Sequence, residues 1–368
     1  MAHNSCNKAA RITVKILFFI SKLIALAPIR YDAATRKFCT NAVATIFSLI
    51  TFIVLAVSAP FLVRASASLY AAGDVKFDST YDQIALATLV GDMTLSTLLL
   101  GLQLWQRHKL AKLLNLLLKL LDQMQTYTQN IVDKPTLLIL WLKVALTLYD
   151  FVTNLPFLFM NARSIGLANM TLYLITLCVQ QVAAIFAINM VVTILLITSL
   201  ARCLEEAIQQ ARISIWLDDT DIAHLISIEY SLNQVVPFFM SIFQLGIFLQ
   251  LLHHMLNWLA NLFAMLEIFV VVNSFESNGI IYCLIVFVNM YSLIFVAQRC
   301  TDSAQRVNWT PHELSRLQQV IPLQMDFPVL GLFSLKNNFI LFIISFSVNF
   351  FVVILEFEFK KFVEKQKL

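Results

Sequence analysis

The chain has 368 residues, of which 59% are hydrophobic and only 13% are charged, and its formal net charge is +4. Its mean hydropathy is +0.78, and soluble globular domains carry about 25% charged residues. This composition excludes an ordinary soluble domain. The small positive charge, spread over several loops, favours no nucleic-acid partner.

Within the first segment, residues 1–37, the stretch Arg11–Asp32 is apolar but is interrupted by Lys15 and Lys22. A secretory signal has an unbroken apolar core followed by a small-residue cleavage site, and neither is clear here. We therefore predict a cytoplasmic amphipathic helix that lies on the membrane lipid.

Seven apolar stretches follow, and each reaches the length of about 20 residues that spans a bilayer as a helix. Two of them contain charges, at about 84–105 and about 137–160. The other five are free of charge: 38–63, 164–201, 230–266, 277–298 and 337–355. Lipid admits only helices or closed barrels, and 7 glycines leave little room for barrel turns. The sequence predicts an all-α, seven-transmembrane helical domain over residues 38–357.

The fourth and fifth stretches are longer than the bilayer needs, since a helix rises about 1.5 Å per residue and the hydrocarbon core is about 30 Å thick. Good helix formers continue the fourth stretch through Arg202–Trp216, and Thr310–Ile321 opens with a capping-box pattern. We predict cytoplasmic helix extensions, at about 201–235 and 299–337, that pack into an anchor.

Lysine and arginine set the predicted orientation. Most of them fall before the first span or in the loops after the second, fourth and sixth spans, whereas the other loops hold only Arg64, Lys76 and Arg163. The N-terminus is therefore predicted inside, and residues 358–368 form a short extracellular tail. Four lysines in that tail argue locally for the opposite side.

The last stretch, "GLFSLKNNFILFIISFSVNFFVVILEF" (Gly331–Phe357), resembles the final helix of insect gustatory receptors. Gly331, Leu332, Phe333 and Leu335 fit the usual start of that helix. In the second motif Asn349, Phe350 and Glu356 stand where Thr, Tyr and Gln are usual, and Phe357 matches. "LIALAPIRYD" (Leu23–Asp32) is similar to the segment before the first helix of many members. The chain is identified as a divergent member.

The resemblance implies a taste receptor in the plasma membrane of sensory neurons that acts as a ligand-gated, non-selective cation channel. It implies a homo- or hetero-tetramer with other gustatory receptor subunits and a pore lined by the seventh helix. The ligand would be a small-molecule tastant, a bitter compound or a contact pheromone. Two alternatives stay open: a non-conducting accessory subunit and a secondary transporter.

One face of the seventh helix carries the predicted pore-lining residues Ser345, Asn349, Val352, Val353 and Glu356, because their spacing is three to four residues. In a fourfold assembly a valine ring closes the pore by dewetting and a Glu356 ring attracts cations. Alternatively, Glu356 only reaches interfacial water and pairs with Lys360.

Polar and aromatic residues inside the other spans are the ligand-pocket candidates, since polar groups at membrane depth face protein or water. They are Asp92, Lys143, Asp150, Gln180, Gln181, Trp258, Asn261, Asn289 and Tyr291. The alternative is a structural network between helices. The adjacent pair His253–His254 points in directions about 100° apart on a helix, so we expect interhelical hydrogen bonds rather than a metal site.

The sequence contains no nucleophile elbow, Walker loop, HExxH or dinucleotide fingerprint. Its 6 cysteines form no CxxC pair, and we expect buried unpaired thiols, with a disulfide or a metal site as the alternative. No enzyme activity, cofactor or metal is predicted.

Overall fold

The computed structural model describes residues 2–71, 80–128, 131–161, 167–213, 219–272, 277–307 and 322–366. Nine helices lie within these ranges: α1 (Ala2–Leu23), α2 (Ala42–Ala71), α3 (Thr80–Trp105), α4 (Arg107–Met124), α5 (Lys134–Asn161), α6 (Leu167–Ile213), α7 (Asp219–Val272), α8 (Ser277–Gln305) and α9 (Asn337–Gln366). Four short strands accompany them: β1 (Ile29–Asp32), β2 (Lys37–Thr40), β3 (Pro328–Val329) and β4 (Phe333–Ser334).

Five of the helices are long and apolar enough to cross a membrane within the described ranges: α2, α3, α6, α7 and α8. The third predicted span lies in α5. The seventh lies in α9, whose apolar part Asn337–Phe350 is shorter. The helices α6 and α7 have 47 and 54 residues, about 70 and 80 Å at 1.5 Å per residue. Both exceed the bilayer, as the sequence predicted.

The helix α6 is the centre of the bundle and packs against α2, α3, α5, α7 and α8. In its apolar window 67% of residues are buried, against 17% in α2, which lies at the periphery. Buried aliphatic side chains such as Ile188, Ile194 and Leu200 form the contact surface of α6. The other helices are therefore positioned relative to this one element.

A β-hairpin separates α1 from α2 and was not predicted. Strands β1 and β2 pair antiparallel, with Ile29 opposite Thr40, so the predicted first span loses its first residues to a strand. The Asn115 side chain accepts a hydrogen bond from the Phe38 amide (2.7 Å) and donates one to its carbonyl (2.8 Å). This attaches the hairpin to α4.

A second hairpin, β3–β4, leads into α9. Its turn places Gly331 at φ 70°, in the left-handed region that glycine enters without a steric penalty. The backbone conformation of this turn therefore explains why the gustatory-receptor motif has a glycine at this position.

The helix α6 continues without a break to Ile213, so residues 202–213 of the predicted extension are helical. The cytoplasmic position of the extension and its role in an anchor stay predictions. The predicted helix Thr310–Ile321 lies outside the described residues. The helix α9 continues to Gln366, so most of the predicted tail 358–368 has a helical backbone.

Candidate functional site

One face of the helix α9 is buried against the bundle, and another face is exposed. Ile340, Ile343 and Ser347 are buried, and α9 contacts α7 and α8. At about 100° per residue, the face with Asn349 and Glu356 points nearly opposite this buried face.

All five predicted pore-lining residues are exposed in the single chain, with Val352 at 55% and Val353 at 50% relative exposure. The sequence placed them on one helix face, and the structure leaves that face uncovered by the rest of the chain. The structure describes one copy, so the pore itself stays a prediction.

Apolar side chains border this face on both sides. On one side Phe339, Phe342, Phe346 and Phe350 form a row of nearly parallel rings, with centroids 6.0, 6.3 and 6.4 Å apart. On the other side Leu341, Ile344 and Val348 are exposed. A stripe that contains Ser345, Asn349 and Glu356 therefore runs between two apolar borders.

Asp92 on α3 is at the centre of a polar network inside the bundle. One carboxylate oxygen lies 2.6 Å from Nε2 of His253 on α7, and the other accepts a hydrogen bond from the Gln180 amide on α6 (2.9 Å). Asn257 also contacts the His253 ring, at 3.2 Å. Asn261 donates to the Asn257 carbonyl. Both oxygens of Asp92 are thus satisfied by protein groups.

A second polar contact joins α5 to α8. The ammonium group of Lys143 donates a 2.6 Å hydrogen bond to the Asn289 side chain, and Lys143 is only 4% exposed. Two of the predicted ligand contacts therefore pair with each other, as the structural alternative expects.

An aromatic row lies between α7 and α8. The Trp258 ring is 5.4 Å from that of Phe287, which is parallel to Tyr291 at 6.4 Å. Tyr291 and Phe295, whose centroids are 5.7 Å apart, are each 37% exposed. This row places two predicted ligand-contact residues together at a partly open surface.

The remaining candidates are more scattered. Gln181 is half-buried on α6, and the Asp150 side chain lies outside the described part of the chain. Two cavities are described, an open groove of about 670 Å³ between α4 and α7 and a smaller one of about 110 Å³ beside α1. None of the predicted ligand contacts lines either of them.

The interpretation of His253 as an interhelical hydrogen-bonding residue is confirmed by its contact with Asp92. Among the described residues, no group of three His, Cys, Asp or Glu side chains could hold a metal ion. All six cysteines are free, and four of them are buried as expected, whereas the prediction of burial is wrong for the exposed Cys39 and Cys178.

Sequence reasoning did not pair His253 with Asp92. A signal existed, because His253, Asn257 and Asn261 recur at four-residue intervals and share one face of α7. Such a polar stripe in an apolar helix indicates a partner on a neighbouring helix. Which helix supplies it follows only from the packing.

Comparisons with known proteins agree with this architecture. A family model described as 7tm Chemosensory receptor matches residues 14–361. "Putative gustatory receptor 89a" of Drosophila melanogaster is 29% identical over 355 residues, covering 92% of this chain and 93% of that protein.

The fold is also similar to that of the insect olfactory receptor OR5 from Machilis hrabei. The TM-score is 0.66 at 13% identity, covering 94% of this chain and 98% of that one. For OR5 in complex with eugenol the TM-score is 0.67 at 12% identity, with coverages of 97% and 100%.

The chain belongs to the 7tm chemosensory receptor family. It is a multi-pass membrane protein, and the predicted seven-transmembrane helical fold class and gustatory-receptor resemblance are confirmed.

Proposed function

We propose that this receptor is a ligand-gated, non-selective cation channel whose pore forms where four α9 helices surround a common axis. It acts in the plasma membrane of sensory neurons, as a homotetramer or with other gustatory receptor subunits. The observation that carries the proposal is the exposure of Ser345, Asn349, Val352, Val353 and Glu356 on one face of α9, opposite its buried face.

The borders of that face support assembly. In a fourfold arrangement, the phenylalanine row of one α9 and the exposed Leu341, Ile344 and Val348 of the next are the surfaces that can pack together. Packing of this kind removes apolar side chains from water in the conduit and leaves the stripe with Asn349 and Glu356 to line it.

Two levels of the stripe have separate roles. A ring of Val352 or Val353 side chains closes the pore when the helices approach, because a narrow apolar constriction loses its water. A ring of Glu356 carboxylates raises the local concentration of cations at the outer mouth.

The ligand in this proposal is a small amphipathic organic molecule, either a bitter compound or a contact pheromone. The aromatic row with Trp258 and Tyr291 offers partly exposed ring faces. The polar candidates Asp92, Gln180, Lys143 and Asn289 already bond to protein groups, so the aromatic row is the part of the candidate set that we assign to ligand contact. OR5, which has the same fold, has been solved with eugenol.

The test is to express the chain in cells, apply a panel of bitter compounds and cuticular pheromones, and record membrane current. Glu356→Gln removes the carboxylate and keeps its size, so we expect lower permeability to divalent relative to monovalent cations. Asp122→Asn removes the same charge from an exposed position on α4 and is the matched control.

If Glu356→Gln leaves both the cation selectivity and the block of the current by cations unchanged, the alternative in which Glu356 only contacts interfacial water is favoured. Where current requires a co-expressed second receptor, a Glu356→Gln variant that leaves the selectivity of that current unchanged, together with valine variants that do not alter its gating, would identify this chain as a non-conducting accessory subunit. Stoichiometric ligand uptake without current would indicate a transporter.

A further inference from the structure

The N-terminal helix α1 has three different faces. Cys6, Ala10, Leu17 and Ser21 are buried against the bundle. They repeat at four-residue and seven-residue intervals, so they form one stripe along the helix. This stripe fixes how the rest of α1 is oriented.

The second face is apolar and exposed. Ile12, Ile16, Phe19 and Leu23 recur at the same spacing, with relative exposures of 49, 53, 67 and 67%. At about 100° per residue this stripe lies roughly 140° from the buried one. Four large apolar side chains in one uncovered stripe require an apolar environment.

The third face is basic. Lys8, Arg11 and Lys15 are exposed, and their stripe lies about 80° from the apolar one. Lys22 continues it, with its Nζ 4.9 Å from the centre of the Phe18 ring. The sequence of α1 contains no aspartate or glutamate, so nothing on the helix itself neutralises this charge.

Contacts to α5 and α6 hold α1 against the bundle, and exposed tryptophans lie on the neighbouring helices. The Trp141 indole donates a hydrogen bond to Thr13 Oγ1 (3.3 Å), and Asn189 donates one to Ser21 Oγ (2.9 Å). Trp141 is 53% exposed, and Trp105 at the end of α3 is 75% exposed. Exposed tryptophans of this kind gather at the membrane–water boundary.

We propose that α1 is a binding site for anionic phospholipid, with its apolar stripe in the acyl-chain region and its basic stripe on the lipid phosphates and carboxylates. A phospholipid offers an apolar layer and a negative layer side by side, which matches the adjacent apolar and basic stripes of α1. The predicted cytoplasmic N-terminus directs α1 to the leaflet that carries phosphatidylserine. This proposal is independent of the channel function.

The test uses the purified full chain, reconstituted in nanodiscs of phosphatidylcholine mixed with phosphatidylserine, and counts the lipids retained by native mass spectrometry. The variant Lys8→Gln/Arg11→Gln/Lys15→Gln removes three positive charges. A charge near an anionic surface changes binding by about fivefold, so we expect phosphatidylserine enrichment to fall by about tenfold or more.

The matched control is Lys109→Gln/Lys112→Gln/Lys119→Gln, which removes the same charge from exposed positions on α4. We expect it to keep the enrichment. Equal loss in both triple variants would overturn the proposal, since retention would then follow net charge alone. Wild-type protein without any preference for phosphatidylserine would also overturn it.

A second measurement addresses the apolar stripe. The variant Ile16→Ser/Phe19→Ser should retain less phosphatidylcholine and less phosphatidylserine at any salt concentration. The phosphatidylserine enrichment of the wild type depends on charge, so it should disappear in high salt. The control pair Val43→Ser/Ile46→Ser is similarly exposed and lies on α2, a helix in which Arg64 is the one charged residue. Dimers joined through α1 in place of lipid would identify a second copy as the occupant and end the proposal.

Discussion

The carboxylate of Asp92 on α3 lies 2.6 Å from the His253 ring on α7, and its other oxygen is bonded by Gln180 on α6. Three helices that are distant in sequence are thereby joined at one half-buried point. The Asp92 side chain is 21% exposed and that of His253 is 14% exposed. Water can therefore replace a lost hydrogen-bond partner only to a small extent.

We expect Asp92→Ala to lower the stability of the purified receptor by about 1–3 kcal/mol, because His253 and Gln180 then lose their acceptor. Thermal unfolding in detergent measures this. A double-mutant cycle with His253→Ala should give a coupling energy of about 0.5–3 kcal/mol. Asp302→Ala, on α8, is the control. Strictly additive single effects would contradict a direct interaction.

A close contact between α6 and α7 depends on Gly246. A Cβ atom at this position would lie 2.5 Å from Cζ and 2.8 Å from Cε1 of Phe186, and Phe186 is only 2% exposed. We expect Gly246→Ala to destabilise the protein by about 1–3 kcal/mol through overpacking, measured by thermal unfolding.

The effect of Gly246→Ala should be largely reversed by Phe186→Leu in the same chain, since the shorter side chain makes room. Gly101→Ala is the comparison, because its Cβ would lie 3.1 Å from the half-buried Phe52 ring, which can move aside. If both glycine variants cost the same, steric overlap with Phe186 is not the reason.

The spans could be predicted from sequence because lipid and a protein core both demand long stretches without charge. The windows 164–201 and 230–266 indicated α6 and α7 for this reason. The same signal misplaced the start of the first span, since Phe38–Thr40 is uncharged yet forms β2. An absence of charge does not distinguish a short strand from the first turn of a helix.

The helix α4 was missed for the opposite reason. Its charges indicated a loop between the second and third spans, although Leu110, Leu113, Leu117 and Leu120 have helical spacing and are buried.

The side-chain contacts between helices could not be predicted from sequence, for a different reason. Asp92 and His253 are 161 residues apart, and their contact depends on the relative register of two helices, which packing alone sets.

Asp133, which precedes the first residue of α5, contacts arginines on α6 and α8. It caps α5 by accepting a hydrogen bond from the Thr136 amide (3.1 Å) and lies 2.9 Å from Arg202 and 3.5 Å from Arg299. Burial raises the pKa of Asp133, but the hydrogen bonds of Thr136 and the charges of the two arginines outweigh it, so the pKa lies below its ordinary value of 3.8.

A lowered pKa means that Asp133 stabilises the folded protein above its ordinary pKa, and this contribution is lost as the pH falls through the lowered value. Asp133→Asn keeps a capping side chain and loses the ion pairs. We expect it to reduce stability near neutral pH and to flatten the decline in acid, both followed by thermal unfolding across pH.

Asp133→Ala loses the cap as well and should cost about 1 kcal/mol more than Asp133→Asn. Asp122→Asn removes an exposed carboxylate from α4 and should leave the pH profile unchanged. An acid limb in Asp133→Asn as steep as that of the wild type would show that another carboxylate controls it.

The predicted valine constriction can be tested by making it polar. Val352 and Val353 are adjacent, so they point about 100° apart, and only the one that faces the axis can exclude water. Replacement of that residue with Asn should hydrate the closed pore and give current without ligand, recorded as leak in cells that express the variant. Ile344→Asn on the border of the face is the control, since it lies about 120° from Glu356 on the helix. A polar residue opens the closed pore only where it replaces a side chain of the constriction. A leak with Ile344→Asn and with neither valine variant would therefore place the constriction on another face of α9.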